Sequence, residues 1–281
     1  MTGTLYICAT PIGNLQDMTP RVVETLRMVD VIAAEDTRNS IRLLNHFDIH
    51  TPMTSYHEYN KIGKARQLVG QLQGGQNIAL ITDAGTPAIS DPGEVLVQMC
   101  QEGGVPVTSL PGPSACITAL TLSGLSTRRF CFEGFLPADR KEKRMVLQEL
   151  ARESRTMVLY EAPHHLVRTL EELKETLGDR HVTLCRELTK KFETVMPTTL
   201  DGALEHYTRE QPKGEYVLVV QGKSREEKRK EEIVSWEELG IEEHMALYER
   251  QGVDHKEAMK QVAKDRGVSK REIYGYLHVD G

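Results

Sequence analysis

The 281-residue chain is predicted to be an α/β protein, with two α/β domains followed by a small C-terminal helical region. Three observations predict this class. Short apolar runs such as Ile78-Ala79-Leu80-Ile81, too short for helices, end repeatedly in Pro- and Gly-containing loops that lead into stretches of helical periodicity. Beyond residue 122 the alternation continues with more strands and fewer rigid loops, which points to a mixed sheet. From residue 224 the strand-like runs give way to charged helical segments. The expected division is therefore 1–122, 123–223 and 224–281.

A hydrophobic content of 39% supports one large core or two modest ones. The net charge of −6 excludes a globally basic nucleic-acid binder and leaves room for a local basic face. The five cysteines, Cys8, Cys100, Cys116, Cys131 and Cys185, form no C-x-x-C pair and lie mostly in apolar runs. They read as reduced core thiols of a cytoplasmic protein. No apolar stretch approaches the ~20 residues that span a bilayer, and the N-terminus enters a strand instead of a signal peptide, so no membrane partner is expected.

In chain order, Leu5 to Ala9 reads as a strand entering the loop Thr10-Pro11-Ile12-Gly13-Asn14-Leu15. Thr19-Pro20 then reads as N-cap and first residue of a helix with Val22, Leu26 and Val29 on one face. Val31 to Ala34 is the next strand and ends in Glu35-Asp36-Thr37-Arg38. Asp36 or Thr37 serves as a cap, but two adjacent carboxylates and an arginine exceed what a cap requires, so one of the group is expected to face a substrate. His46 to Asn60 reads as a polar connection whose histidines lack metal-ligand spacing, and no metal is expected.

The helix of Lys61 to Gln73 leads to the buried strand Ile78 to Ile81. There Gly85 and Pro87 interrupt the backbone, and Ser90 or Asp91 is expected to cap a helix that opens at Pro92. That helix stops at Gly103-Gly104. Val105 to Leu110 follows as a strand ending in Pro111-Gly112-Pro113-Ser114-Ala115, before a helix of small and apolar residues. Three strand ends thus carry backbone-exposing loops of the kind that places N–H groups and helix N-termini around a nucleotide-like ligand.

In the second half, Phe130 to Leu136 reads as a strand, and the helix after it opens on Asp139-Arg140-Lys141-Glu142-Lys143-Arg144, either a solvated first turn or a phosphate contact. Thr156 to Tyr160 is a strand, and the helix Leu166 to Leu177 stops at Gly178. His164 and His165 read as a cap and an exposed residue pointing apart. Val182 to Cys185 leads into Arg186-Glu187-Leu188-Thr189-Lys190-Lys191-Phe192-Glu193, charged on both sides of a turn. Phe192 to Met196 and Glu215 to Gln221 are the remaining strands, with a helix from Gly202 to Arg209 between them. In the tail, Lys256, Lys260 and Lys264 recur on one helical face opposite Met259, Val262 and Ala263. After Gly267, Ser269-Lys270-Arg271-Glu272 reads as a capping box for a last helix. The tail is either a helix-turn-helix-like unit or a solvated helical hairpin.

Seven blocks carry a resemblance: ATPIGNL (9–15), AEDTR (34–38), TDAGTPAISDPG (82–93), LPGPSA (110–115), FEGFLP (132–137), YEAPHH (160–165) and GEYVLV (214–219). In this order they resemble the bacterial 16S ribosomal RNA 2′-O-ribose methyltransferases, a family within the tetrapyrrole-methylase superfamily that modifies a cytidine of the decoding centre. The resemblance implies two α/β domains of the tetrapyrrole-methylase type with S-adenosylmethionine in the cleft between them, a homodimer, and 16S rRNA or the 30S subunit as partner. It implies cofactor contacts from Pro11, Asp83, Gly85, Thr86, Pro87, Ile89, Ser114, Ala115, Tyr160 and Leu188. Under that reading a ribose hydroxyl must lose its proton during methyl transfer, and help is sought among Glu35, Asp36, Glu187 and Lys190. RNA contacts are sought at Arg38, Arg140, Lys141, Arg186, Lys191, Lys260 and Lys264. Gly85-Thr86-Pro87 stands where many tetrapyrrole-acting relatives have Gly-Asp-Pro. The competing readings are a tetrapyrrole or protein side chain as methyl acceptor, and a non-catalytic RNA-binding assembly factor.

Overall fold

The computed structural model describes residues 1–224, 226–227 and 239–277. The parts of the expected tail at 225, 228–238 and 278–281 lie outside the described residues. Residues 1–222 form one compact unit and residues 223–281 another.

The first unit holds two sheets. The N-terminal sheet is entirely parallel, built from β1 (Leu5–Cys8), β2 (Val31–Ala34), β3 (Met53–Ser55), β4 (Ile78–Ile81) and β5 (Val107–Leu110) in the order β3-β2-β4-β1-β5. Its connections are the helices α1 (Pro20–Met28), α2 (Thr37–His46), α3 (Lys61–Gln73) and α4 (Gly93–Glu102). Strand alternation divides the core between the two faces. Ile78 and Leu80 pack with Leu68, Leu72 and Leu96 on one side, and Ala79 and Ile81 pack with Val22, Leu26 and Leu44 on the other. Both faces are covered, so β4 is buried at every position and reads as a continuous apolar run.

The local signals behave as their chemistry dictates. The Thr19 side chain accepts from Val22 N with Pro20 at the first helical position, and Asp36 accepts from Arg38 N at the start of α2. At the opening of α4 the structure corrects the sequence reading: the helix begins at Gly93, not Pro92. Asp91 Oδ1 accepts both Ala88 N (3.0 Å) and Gly93 N (2.8 Å), so its carboxylate closes the preceding loop as well as meeting the helix's first N–H. The segment 46–60, read as a polar connection, also contributes the short edge strand β3.

The second sheet is mixed, as its composition predicts. It contains β6 (Phe130–Phe135), β7 (Thr156–Glu161), β8 (His181–Arg186), β9 (Thr194–Thr199) and β10 (Tyr216–Val220) in the order β6-β7-β10-β8-β9. Only β6 and β7 run parallel; the other pairings are antiparallel. One face packs on α6 (Arg140–Arg152), α7 (Leu166–Leu177) and α8 (Leu200–Tyr207) through Leu150, Leu170, Leu173, Leu184 and Leu218. The helix α5 (Ala115–Leu122) covers the other face. Its Cys116, Ala119 and Leu120 cluster with Val158, Val217 and Val219, and with Ile12 and Leu188. The expected boundary after residue 122 therefore follows a helix whose buried side belongs to the second sheet.

His165 is the cap residue of α7 and both histidines are exposed, as expected; they do not point apart on a helix, since they sit in the turn before α7 with ring centroids 4.1 Å apart. The free thiols are buried, apart from the half-buried Cys131, and burial pushes Cys8 up to about 12 and Cys100 up to about 11.

In the second unit the described residues form α9 (Ile241–Arg250), α10 (His255–Arg266) and α11 (Lys270–Leu277), packed around Met245, Met259, Val262 and Ile273. Helix α9 was not anticipated as a separate element. Ser269 and Glu272 form the reciprocal capping box, with Ser269 N donating to Glu272 Oε2 (3.0 Å) and Glu272 N to Ser269 Oγ (3.3 Å). No helix among the described residues is long and apolar enough to cross a membrane.

Candidate functional site

The strand-end loops of the first sheet meet the second sheet at a cleft of ≈ 410 Å³. That volume lies within the range of about 300–1,000 Å³ usual for small-molecule and cofactor sites. From the first half the cleft is lined by Ile12, Glu35, the stretch Thr82 to Thr86, Ile89 to Asp91, Ser114 and Ala115. From the second half come Phe135, Tyr160, Glu187, Leu188, Lys190 and Glu215, among others. The location follows the rule for open α/β sheets, in which ligands sit beyond the carboxyl ends of the strands.

Backbone hydrogen bonds hold the first-half loops. Thr10 N donates to Gly85 O (2.9 Å) and Gly85 N to Thr10 O (3.1 Å), tying the loop after β1 to the loop after β4. Gly85 has φ +85°, and a Cβ there would stand 3.2 Å from Ile12 Cγ2, so both conformation and space favour glycine. Thr86 Oγ1 donates to Pro113 O (3.0 Å), joining the third loop to the second. Ala88 and Ser90 both have left-handed backbones, at φ 67° and 66°, an arrangement that costs non-glycine residues energy and persists only where neighbours hold it.

Charges hold the corresponding second-half loop. Glu187 and Thr189 are left-handed, at φ 51° and 65°. Lys190 Nζ donates to Glu187 Oε1 (3.0 Å) and Glu215 Oε2 (2.8 Å), and Glu215 N donates to Glu187 Oε1 (3.0 Å). Glu187 is partly desolvated, which pushes its pKa up, but the Glu215 N–H and the Lys190 ammonium outweigh this and hold the carboxyl below its ordinary range. Lys190 is raised above its ordinary value because its two carboxylate partners outweigh its desolvation. A lysine so held stays protonated and cannot accept a proton at neutral pH.

The remaining predicted residues fall into place individually. Glu35 lines the cleft and accepts Thr82 Oγ1 at 2.6 Å. Asp36 does not line it: its carboxylate caps α2 and pairs with Arg38 (2.8 Å), which holds it at about 2. Asp83 lines the cleft and is raised, chiefly by desolvation, while Asn39 Nδ2 donating to Oδ2 (3.1 Å) partly offsets the shift. Pro11 and Pro87 are buried behind the lining, and Gly85, Thr86, Ile89, Ser114, Ala115, Tyr160 and Leu188 belong to it.

None of the predicted RNA-contact residues lines the cleft. Arg38 is exposed and paired with Asp36, and Lys191 lies 5.5 Å over the Phe192 ring. Arg186 has a buried Nε with no hydrogen-bond partner among the described residues. Arg140 and Lys141 are exposed at the start of α6. In the second unit Lys260 pairs with Glu257 (2.8 Å), and Lys264 is exposed. No group of His, Cys, Asp or Glu among the described residues could hold a metal ion. Sequence reasoning missed Ile12, Phe135 and Glu215; the first adjoins Pro11, and the others sit at strand ends within FEGFLP and GEYVLV, where side-chain direction was not legible.

The chain matches the family described as Tetrapyrrole (Corrin/Porphyrin) Methylases over residues 4–204. A ribosomal RNA small subunit methyltransferase I from Halalkalibacterium halodurans is 49% identical over 98% of this chain and 95% of its own length. Proteins of the same name from Synechocystis and Bacillus subtilis are 47% and 45% identical over 97% and 99% of this chain, and 96% and 94% of theirs. Among solved structures, a diphthine synthase superposes with a TM-score of 0.61 at 15% identity, covering 79% of this chain and 91% of that one, a likeness of fold alone. With the two-sheet architecture and the cleft at its strand ends, these matches show that the chain belongs to the tetrapyrrole methylase family, in the branch of the ribosomal RNA small subunit methyltransferases I.

Proposed function

We propose that the protein is an S-adenosylmethionine-dependent methyltransferase of small-subunit (16S) ribosomal RNA, and that the acceptor is the ribose 2′-oxygen of a cytidine in the decoding centre. The observation that carries the proposal is the cleft itself, preformed by strand-end loops in a chain that matches ribosomal RNA small subunit methyltransferases nearly end to end. Its lining fits the cofactor. Ile12, Ala115, Leu188 and Val217 offer an apolar slot, and Glu35, Asp83, Glu187 and Glu215 offer carboxylates suited to ribose hydroxyls, an ammonium and a sulfonium.

S-adenosylmethionine supplies a methyl group activated on a positively charged sulfur. The protein's own residues bind and align. Asp83 to Pro87, Ile89, Ser114, Ala115, Tyr160 and Leu188 hold the donor, with Pro11 beneath it. The acceptor hydroxyl must lie in line at about 3 Å and lose a proton as the bond forms. Of the four groups considered for that proton, Lys190 is held protonated and Asp36 is committed to Arg38. Glu187 is engaged by Lys190 and the Glu215 N–H. We therefore assign the proton to Glu35, whose carboxylate faces the cleft with Thr82 as its hydroxyl partner.

The reading places the protein in the cytoplasm, where small-subunit RNA is assembled, and as a homodimer, with exposed lysines of the second unit such as Lys260 and Lys264 adding RNA contacts. The test offers labelled cofactor with under-methylated small subunits, naked 16S RNA and a porphyrinogen precursor. Label on the ribose of a small-subunit cytidine is the expected result; label only on the porphyrinogen sinks the proposal. In single-turnover assays Glu35→Gln is expected to slow transfer by about 10²-fold with cofactor affinity retained, and Asp36→Asn to leave the rate within about twofold.

A further inference from the structure

Among the residues of the cleft, Phe135 is a large aromatic residue that is 57% exposed. Its direction is the product of a defect in the strand. β6 pairs with β7 through Phe130↔Thr156, Cys131↔Met157 and Phe132↔Val158, and the register then shifts so that Gly134 faces Leu159 and Phe135 faces Tyr160. Glu133 is the extra residue. In a regular strand Phe132 and Phe135 are an odd number of residues apart and point to opposite faces. The bulge cancels that alternation and puts both on the face of Val158 and Tyr160.

The rings confirm the parity. Phe132 and Phe135 both meet Tyr160 edge to face, at 5.0 Å and 70° and at 5.6 Å and 64°. Gly134 makes the turn at φ +62°, and a Cβ there would stand 3.1 Å from Ser90 Oγ of the facing loop. Burying a phenylalanine stabilises a fold, so a strand that bends itself to leave this side chain open forgoes ordinary core packing. Bulges that re-aim one side chain are concentrated beside active sites.

We propose that Phe135 is the stacking platform for the base of the nucleotide whose ribose is methylated, with Arg140, Lys141 and Arg144 holding the adjoining phosphates. This inference rests on the function proposed above. A ribose 2′-oxygen inside folded RNA reaches a cleft only if its nucleotide leaves the stack, and unstacked bases are received on aromatic faces. The cleft lining itself repels phosphate, because Glu35, Asp83, Glu187 and Glu215 stand there against Lys190. Backbone contacts must come from outside it. Five residues beyond Phe135, α6 opens with exposed Arg140, Lys141 and Arg144, none of which is in an ion pair among the described residues, whereas Lys143 of the same turn is tied to Glu172 at 3.0 Å. An open ring in the cleft and uncommitted cations on the helix that follows it in the chain match a nucleotide, not a porphyrinogen, whose carboxylates would also need cations within the cleft.

The test compares F135A, F135L and F135Y with the wild-type protein, using under-methylated small subunits as substrate and calorimetry for S-adenosylmethionine. F135A is expected to lower kcat/KM for the subunits about tenfold, chiefly through KM, as expected for a lost base–aromatic stack. The cofactor Kd is expected to stay within about twofold. F135L keeps the apolar volume and is expected to remain as poor as F135A, whereas F135Y restores the ring and most of the loss. Wild-type kinetics in F135A, or equal recovery by F135L and F135Y, overturns the stacking role. A parallel loss of cofactor affinity also overturns it, since the ring would then be packing on the methyl donor. If the wild-type protein itself transfers no label to small-subunit RNA, the functional reading falls and the inference with it.

Discussion

The two halves of the cleft are held by different forces. On the first-sheet side, Thr10 and Gly85 exchange backbone hydrogen bonds, Thr86 reaches Pro113 O, and Asp91 gathers two N–H groups. On the second-sheet side, Lys190 bridges Glu187 and Glu215, and Glu193 accepts Thr189 N (2.5 Å). The Thr10–Gly85 and Thr86–Pro113 bonds join neutral groups, whereas the second arrangement depends on charges that salt screens. The difference teaches that one cleft can be shaped by two kinds of bond: a wall set by backbone hydrogen bonds between rigid loops, and a wall set by charge pairs between side chains.

Four substitutions break or sharpen that contrast. The largest effect is expected of Gly85→Val, which forces a β-branched residue into a left-handed conformation and presses on Ile12. Cofactor affinity should fall about a hundredfold by calorimetry, equally at low and high salt; a salt-dependent loss would erase the distinction between the walls. Lys190→Met leaves two carboxylates facing each other without their cation. Methyl transfer should slow about tenfold. Because Lys190 helps hold Glu187 below its ordinary range, its removal lets Glu187 take up a proton at higher pH, and the acid limb of the cofactor-affinity profile should move upward. An unmoved limb would show that the charge bridge does not govern the site.

A smaller effect is expected of Asp91→Ala, which frees Ala88 N and Gly93 N. It should cost about 1 kcal/mol of stability in urea unfolding. Smallest is Glu153→Gln, since charge pairing in the second half extends beyond the cleft to Glu153 and Arg155 (2.6 Å). The Arg155 guanidinium holds Glu153 at about 2, below the ordinary 4.5. That pairing therefore stabilises the fold above about pH 4.5 and is lost as pH falls toward 2. The variant should lose up to about 1 kcal/mol at neutral pH and show a flatter stability profile in that acid window. A profile parallel to wild type would remove Glu153 from the account.

Much of the architecture was legible because its signals are local. Thr19-Pro20 and the Ser269/Glu272 box declare helix starts through hydrogen bonds that span three residues. The all-buried run of β4 declares a doubly covered parallel strand. The strand β3 was illegible because an edge strand of three half-buried residues has neither alternation nor an apolar run to report it. The opening of α4 was misplaced by one residue because Asp91 serves the loop behind it as well as the helix ahead.

For the site, the sequence by itself determined the rigid loops after β1, β4 and β5, because Pro and Gly restrict or free the backbone wherever they stand. Only the tertiary structure decided which carboxylates face the cleft. Glu35 and Asp36 are neighbours in sequence, yet one lines the site and the other is spent on a helix cap and Arg38. Only the tertiary structure seats α5 on the second sheet, closing the cleft with Ile12 and Leu188, and turns Phe135 toward the cleft through one extra residue in β6. The physical reason is range. A turn or cap is settled within a few residues, whereas the direction of a side chain at a strand end depends on the register of partners far away in the chain.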